Sequence, residues 1–113
     1  MNIVRAIDLG CGVTKFIRRV EGTHIECGQF QSIAKFSMRH TTGDAFGGLR
    51  DTVAVPIGEW FYEVGPDIDP VLGAWRSTMK GENYIETPEY LALMRGALYY
   101  MNTERWWACR WRI

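Results

Sequence analysis

A short glycine-containing turn between two strand-like segments, near the start of the chain, limits the possible folds more than any other feature. Residues 3–8 form a mainly apolar run that ends in an acid, and Gly10 and Gly12 follow closely. Residues 14–20 then alternate between apolar and charged side chains and include β-branched residues, which is typical of a half-buried strand. This order predicts a β-hairpin that closes over residues 10–12.

The residue types in and beside this turn suit a phosphate site. Two glycines allow a positive φ and a close approach of the backbone, so that several N–H groups can face one anion. Thr14 adds a hydroxyl, Lys15 adds a cation, and Asp8 can hold a hydrated divalent metal. The segment predicts a turn that binds phosphate and magnesium, with a plain hairpin turn as the alternative.

Three ways of binding phosphate through a glycine-rich turn can be compared with this segment. The GxxxxGK[ST] spacing of a P-loop is absent. The dinucleotide-binding fingerprint needs a third glycine and a following helix, but position 15 is Lys15 and a strand-like segment follows. The third is a β-hairpin loop of the pattern DxGxxxxK, and residues 8–15 fit it in spacing and in context.

The next segments extend this pattern of strands and turns. Residues 24–29 predict a third strand after a turn at residues 21–23, which gives an antiparallel meander. Residues 37–50 are rich in glycine and threonine without clear periodicity, and we expect an exposed loop there.

A second hairpin and a helix are predicted in the second half of the chain. Residues 51–57 and 60–64 are apolar runs on either side of Gly58-Glu59, an arrangement that favours a type II′ turn. Residues 66–86 are irregular, with one helical turn expected at 72–79.

The clearest helix start is Thr87-Pro88-Glu89, because Thr can cap free N–H groups, Pro needs no hydrogen bond there and Glu suits the positive end of the dipole. We expect this helix to end near Asn102 and to bury one face, whose members recur at spacings of three and four: Leu91, Met94, Leu98 and Met101.

The composition excludes several classes of function. Basic and acidic residues are equal in number, 13 of each, so the formal net charge of zero argues against direct nucleic-acid binding and against attraction to a membrane surface. No apolar stretch is long enough to span a bilayer, and no secretory leader is visible. The 3 cysteines lack the spacing of a metal site or a disulfide framework. We expect a cytoplasmic globular protein.

Beyond the turn, several segments resemble the amino-terminal part of plasmid-borne actin-like proteins, the ParM/StbA group, and most of all the PRTRC system protein D family. The resemblance covers roughly residues 3–104. The segments that carry it are VRAIDLG (4–10), TKF (14–16), HIECG (24–28), FQSIA (30–34), FYEVG (61–65) and ETPEYLAL (86–93).

This resemblance implies an α/β, ribonuclease-H-like amino-terminal lobe with an incomplete sheet: an antiparallel meander, a hairpin and a core helix. It implies ATP and magnesium as cofactors, self-association into filaments, a plasmid adaptor protein as a partner and a role in plasmid partition. Carried over by position, Asp8 would contact magnesium through water. Gly10, Cys11 and Gly12 would wrap the β- and γ-phosphates, and Thr14 and Lys15 would complete that contact.

The chain also departs from these relatives, which are considerably longer and carry a second phosphate loop and an adenosine pocket that this sequence lacks. We therefore expect a truncated nucleotide-binding lobe that hydrolyses ATP poorly by itself, because phosphoryl transfer depends on a complete set of positioned groups. Residues 1–104 are interpreted as the actin-like unit. Residues 105–113 form a tail that holds three of the 5 tryptophans, and we interpret it as an out-of-frame reading of a buried strand.

Two other functions remain open from the sequence. The chain can be read as a non-enzymatic interaction module that binds a partner through loop 37–50 or through a genuine Trp-rich tail. It can also be read as a metal-dependent nuclease in which Asp8 and Glu89 share the metals.

Overall fold

The computed structural model describes residues 6–37, 51–68, 84–102 and 106. They form two three-stranded antiparallel sheets and one α-helix. In chain order the elements are β1 (Ile7–Leu9), β2 (Val13–Glu21), β3 (His24–Gln31), β4 (Lys35–Ser37), β5 (Val53–Ile57), β6 (Trp60–Val64), a 3₁₀ turn (Tyr84–Glu86) and α1 (Pro88–Tyr100). Within these ranges, neither helical segment has the length and apolar character that a membrane crossing demands.

The first sheet has the order β1-β2-β3 and confirms the predicted meander. Strands β2 and β3 are joined by a tight turn in which Gly22 has a φ of 59°, a conformation that glycine adopts without steric cost. The face that carries Phe16 and Phe30 is buried, and their rings lie 5.9 Å apart. Gly28 is the cross-strand partner of Phe16, and a Cβ at position 28 would lie only 2.7 Å from the Phe16 ring. The missing side chain makes room for the aromatic ring across the strand.

The second sheet has the order β4-β6-β5 and contains the predicted hairpin. Ile57 pairs with Trp60, so the connection has two residues. Among the described residues, positive φ occurs at Gly58 (62°) and not at Glu59, the combination that a type II′ turn requires. Strand β4 was not predicted: Phe36 pairs with Tyr62. Ser37, the first residue of the predicted loop 37–50, is therefore the last residue of β4, and residues 38–50 lie outside the described ranges.

Helix α1 begins where the sequence predicts. The Thr87 side chain accepts a hydrogen bond from the Tyr90 N–H at 3.2 Å, and Pro88 is the first helical residue. The helix ends at Tyr100, and Asn102 has a φ of 57° just beyond it. The helical turn expected at 72–79 lies outside the described ranges.

The buried face of α1 differs in part from the expected one. Leu93 and Ala97 are fully buried, whereas Leu91 and Leu98 are only half-buried. The cause is the close approach of the helix to the second sheet, where a Cβ on Gly96 would overlap Val64 Cγ2. Small residues allow this approach, and the buried face combines Ala92, Gly96 and Ala97 with the larger Leu93 and Met94.

One core joins the helix to both sheets. Its members are buried apolar side chains of β2, β3, β5, β6, α1 and the residue after it: Phe16, Phe30, Val53, Val55, Val64, Ala92, Leu93, Ala97 and Met101. The described residues thus form a mixed α/β unit with two small antiparallel sheets, and the ribonuclease-H-like fold stays a prediction. The division at residue 104 also stays a prediction.

Candidate functional site: the hairpin between the first two strands

The predicted hairpin is present and tightly closed. In β1 and β2, Asp8 pairs with Lys15 and Leu9 with Thr14. The Gly10 N–H donates to the Val13 carbonyl at 3.1 Å, so Cys11 and Gly12 are the two residues at the tip. The segment DLGCGVTK is therefore a strand, a two-residue tip and a second strand, as its pattern predicts.

Asp8 and Lys15 lie directly opposite each other and face the same side of the first sheet. Both are exposed, and both line an open hollow of about 390 Å³ that Gln29 of β3 also lines. Among the described residues, neither the Asp8 carboxylate nor the Lys15 ammonium takes part in an ion pair. The Asp8 carboxylate and the Lys15 ammonium are therefore both available to bind a ligand in this hollow.

Neither turn glycine has an unusual backbone angle, and at Gly10 the lack of a side chain is needed for space. In the described chain the glycines with positive φ are Gly22, Gly58 and Gly65, so the expectation of positive φ at Gly10 and Gly12 was wrong. A Cβ on Gly10 would lie 2.8 Å from the Val13 carbonyl oxygen, closer than real Cβ contacts come. Gly10 is therefore needed for the close approach of the two strands.

Thr14 faces away from Lys15, because successive side chains of a strand point to opposite faces. It is fully buried, and its hydroxyl lies 2.8 Å from the Ser32 hydroxyl. The sequence leads us to expect that Thr14 and Lys15 complete the contact with phosphate, and the structure places the two side chains on opposite faces of β2. A contact of Thr14 with phosphate stays a prediction. The hydrogen bond that the structure shows for the Thr14 hydroxyl is with Ser32.

Sequence reasoning missed Ser32 as part of this turn. Its N–H donates to the Gly12 carbonyl at 3.0 Å and its hydroxyl to the Gly10 carbonyl at 2.6 Å. A signal was present, since Ser32 stands two residues after Phe30 and alternation puts both on the buried face. Its contacts depend on the pairing of β2 with β3, which the local pattern does not specify.

Cys11 is exposed at the tip of the hairpin. No hydrogen bond joins its N–H to another described residue. An exposed backbone N–H at a tight turn is a suitable donor to an anion.

The other candidate residues lie elsewhere. Glu89 is at the start of α1. The pKa of Tyr62 on β6 is raised above its ordinary value, mainly by burial and secondarily by the negative charge of Glu89. Glu89 thus has a neighbour on the second sheet, whereas Asp8 lies on the first. Across the described ranges, no three histidine, cysteine, aspartate or glutamate side chains form a group that could hold a metal.

The tail is described at one residue only. Trp106 packs edge-on against Tyr99, with ring centroids 5.2 Å apart, and touches the core. The remaining residues of 105–113 lie outside the described ranges, so both interpretations of the tail stay predictions.

Comparison with known protein families gives a match over most of the chain. The model of a family described as the actin-like proteins' N-terminal domain matches residues 6–108. No curated protein and no solved structure matches this chain. The match covers most of the chain and includes both sheets, the described helix and the hairpin at residues 8–15. The chain therefore belongs to the actin-like proteins and corresponds to their N-terminal domain.

Proposed function

We propose that the β1–β2 hairpin binds the phosphates of a nucleoside triphosphate together with magnesium, as part of the nucleotide site of an actin-like ATPase. One observation carries this proposal: Asp8 and Lys15 are paired across the hairpin and line the same exposed hollow. The family match supports the choice of ligand, since the matched residues include the whole hairpin.

The donor set fits a magnesium–polyphosphate. The Lys15 ammonium and the backbone N–H of the exposed residue Cys11 are donors to phosphate oxygen. The Asp8 carboxylate would repel a phosphate unless a divalent cation lies between them. Magnesium keeps several of its water ligands, so one carboxylate is enough to hold it next to a phosphate. Binding is therefore expected to require magnesium.

The test is a calorimetric titration of the full chain with ATP, with and without magnesium. Charge-assisted contacts are worth more than neutral ones, so Lys15→Ala and Asp8→Ala should each weaken binding by about tenfold. The matched controls are Lys35→Ala, an exposed lysine on β4, and Glu59→Ala, an exposed acid in the β5–β6 turn. These controls should bind as the unsubstituted chain does. Equal losses in the controls, or binding without magnesium, would contradict the proposal.

The finer assignment that we propose is to the cytoplasmic plasmid-partition branch, the ParM/StbA group, and within it to the PRTRC system protein D family. The resemblance of FYEVG and ETPEYLAL supports it, and these segments include most of β6 and the start of α1. Proteins of this kind assemble into filaments, so we also propose nucleotide-dependent self-association, which sedimentation tests.

A further inference from the structure

We infer that Ser32, together with Thr14, is a positioning residue that sets the orientation of the peptide groups at the tip of the phosphate hairpin. This inference rests on the proposed function, because it assigns to the buried side of the same hairpin a role in phosphate binding. Ser32 lies 22 residues from Gly10 in the sequence, and its contacts tie the end of β3 to the hairpin tip.

The hydrogen bonds of this group have one possible direction. A carbonyl oxygen only accepts, so Ser32 Oγ gives its single proton to the Gly10 carbonyl, 2.6 Å away. Ser32 Oγ and Thr14 Oγ1 are 2.8 Å apart, and since the Ser32 proton is already used, Thr14 is the donor in that bond. The result is a chain from the Thr14 hydroxyl through the Ser32 hydroxyl to the Gly10 carbonyl, between two side chains with no exposed surface.

Ser32 fixes two peptide planes of the turn. Its hydroxyl binds the Gly10 carbonyl, and its backbone N–H binds the Gly12 carbonyl at 3.0 Å. The described peptide bonds are trans, so the N–H of each plane points opposite to its carbonyl. The N–H groups of Cys11 and Val13 therefore point away from Ser32. The N–H of Cys11, the exposed residue of the tip, is thus oriented before any anion arrives, which reduces the cost of binding.

A hydroxyl is necessary at both positions. Replacing Ser32 by alanine would leave the Gly10 carbonyl and the Thr14 hydroxyl without this partner in a buried place. Replacing Thr14 by valine keeps the shape but removes the proton that Ser32 Oγ accepts. In both cases the orientation of the tip is less restricted. The loss of phosphate affinity should therefore be larger than the loss caused by removing an equally buried hydroxyl outside the hairpin.

The experiment compares magnesium–ATP binding by the full chain and by four variants: Ser32→Ala, Thr14→Val, Thr14→Ser and Thr52→Val. Thr52 is the matched control, since its buried hydroxyl lies 2.8 Å from Glu63 Oε2 in the second sheet, away from the hairpin. Thr14→Ser keeps the hydroxyl and serves as the conservative rescue. The free energy of unfolding of each variant is measured in urea, so that lost stability and lost affinity are separated.

We expect Ser32→Ala to raise the Kd about tenfold and Thr14→Val about fivefold, the range for an unsatisfied buried partner. Thr14→Ser should stay within about twofold, and Thr52→Val should lose stability while keeping the affinity. Unchanged affinity in both Ser32→Ala and Thr14→Val overturns this inference and leaves the proposed function intact. Absence of binding by the unsubstituted chain overturns the proposed function and this inference with it.

Discussion

Gly96 on α1 provides a test of how closely the helix packs on the second sheet. A Cβ at this position would overlap Val64 Cγ2 and would also lie 3.7 Å from the Phe30 ring. Val64 is completely buried on β6 and cannot turn toward solvent. The sequence alone suggests the opposite outcome, since alanine is a better helix former than glycine.

Two opposing magnitudes decide the effect of Gly96→Ala. The gain in helix propensity is about 1 kcal/mol, whereas inserting a methyl group into a packed core costs about 1–3 kcal/mol. The net expectation is a loss of about 1 kcal/mol in the free energy of unfolding. For a domain of this size that loss lowers the Tm by about 4 °C.

The assay is urea unfolding followed by circular dichroism, with the double variant Gly96→Ala/Val64→Ala as a cycle. Val64→Ala alone should destabilise by leaving a cavity. Because the new methyl group would occupy the space that Val64 leaves, the double variant should be more stable than the sum of the two single effects predicts. A Gly96→Ala chain that is more stable than the unsubstituted one, or strict additivity, would refute this account of the packing.

Two further outcomes are expected. The pKa of Tyr100 is raised above its ordinary value of 10.0. The main cause is burial, and the second is the hydrogen bond that the Tyr100 hydroxyl donates to Asp51 Oδ1 at 3.0 Å. The fold therefore favours the protonated phenol, and this contribution to stability is complete below pH 10.0 and is lost as the pH rises above it. Tyr100→Phe should flatten this decline in urea titrations, and equal slopes would contradict the assignment. In sedimentation, the full chain should pellet with magnesium–ATP and Asp8→Ala should not; nucleotide-independent pelleting would contradict assembly through this site.

The elements that could be predicted from the sequence are those determined by neighbouring residues. The hairpin tip at Cys11-Gly12 and the cap at Thr87 depend on local backbone chemistry, and both form as expected. The pairing of Asp8 with Lys15 follows from the length of the turn between them. Local pattern was sufficient wherever the partner lies within a few residues.

The features that were missed depend on distant partners. Strand β4 forms because Phe36 pairs with Tyr62, and three residues have too little pattern to show this. The role of Ser32 depends on the register that brings it to Gly10 and Thr14. The buried face of α1 depends on how closely Gly96 approaches Val64. Each of these is a property of tertiary contact and not of periodicity.

The most direct measurement follows the backbone amide chemical shifts of the full chain while magnesium–ATP is added. Binding at the β1–β2 hairpin predicts saturable shifts at Cys11, Gly12 and Lys15. No shifts are expected at the exposed turn of Gly22 and Thr23, which is also a two-residue connection between paired strands but has neither Asp8 nor Lys15 beside it. Shifts that are equal at both turns, or that are absent at the first, would contradict the assignment of this hairpin as the phosphate site.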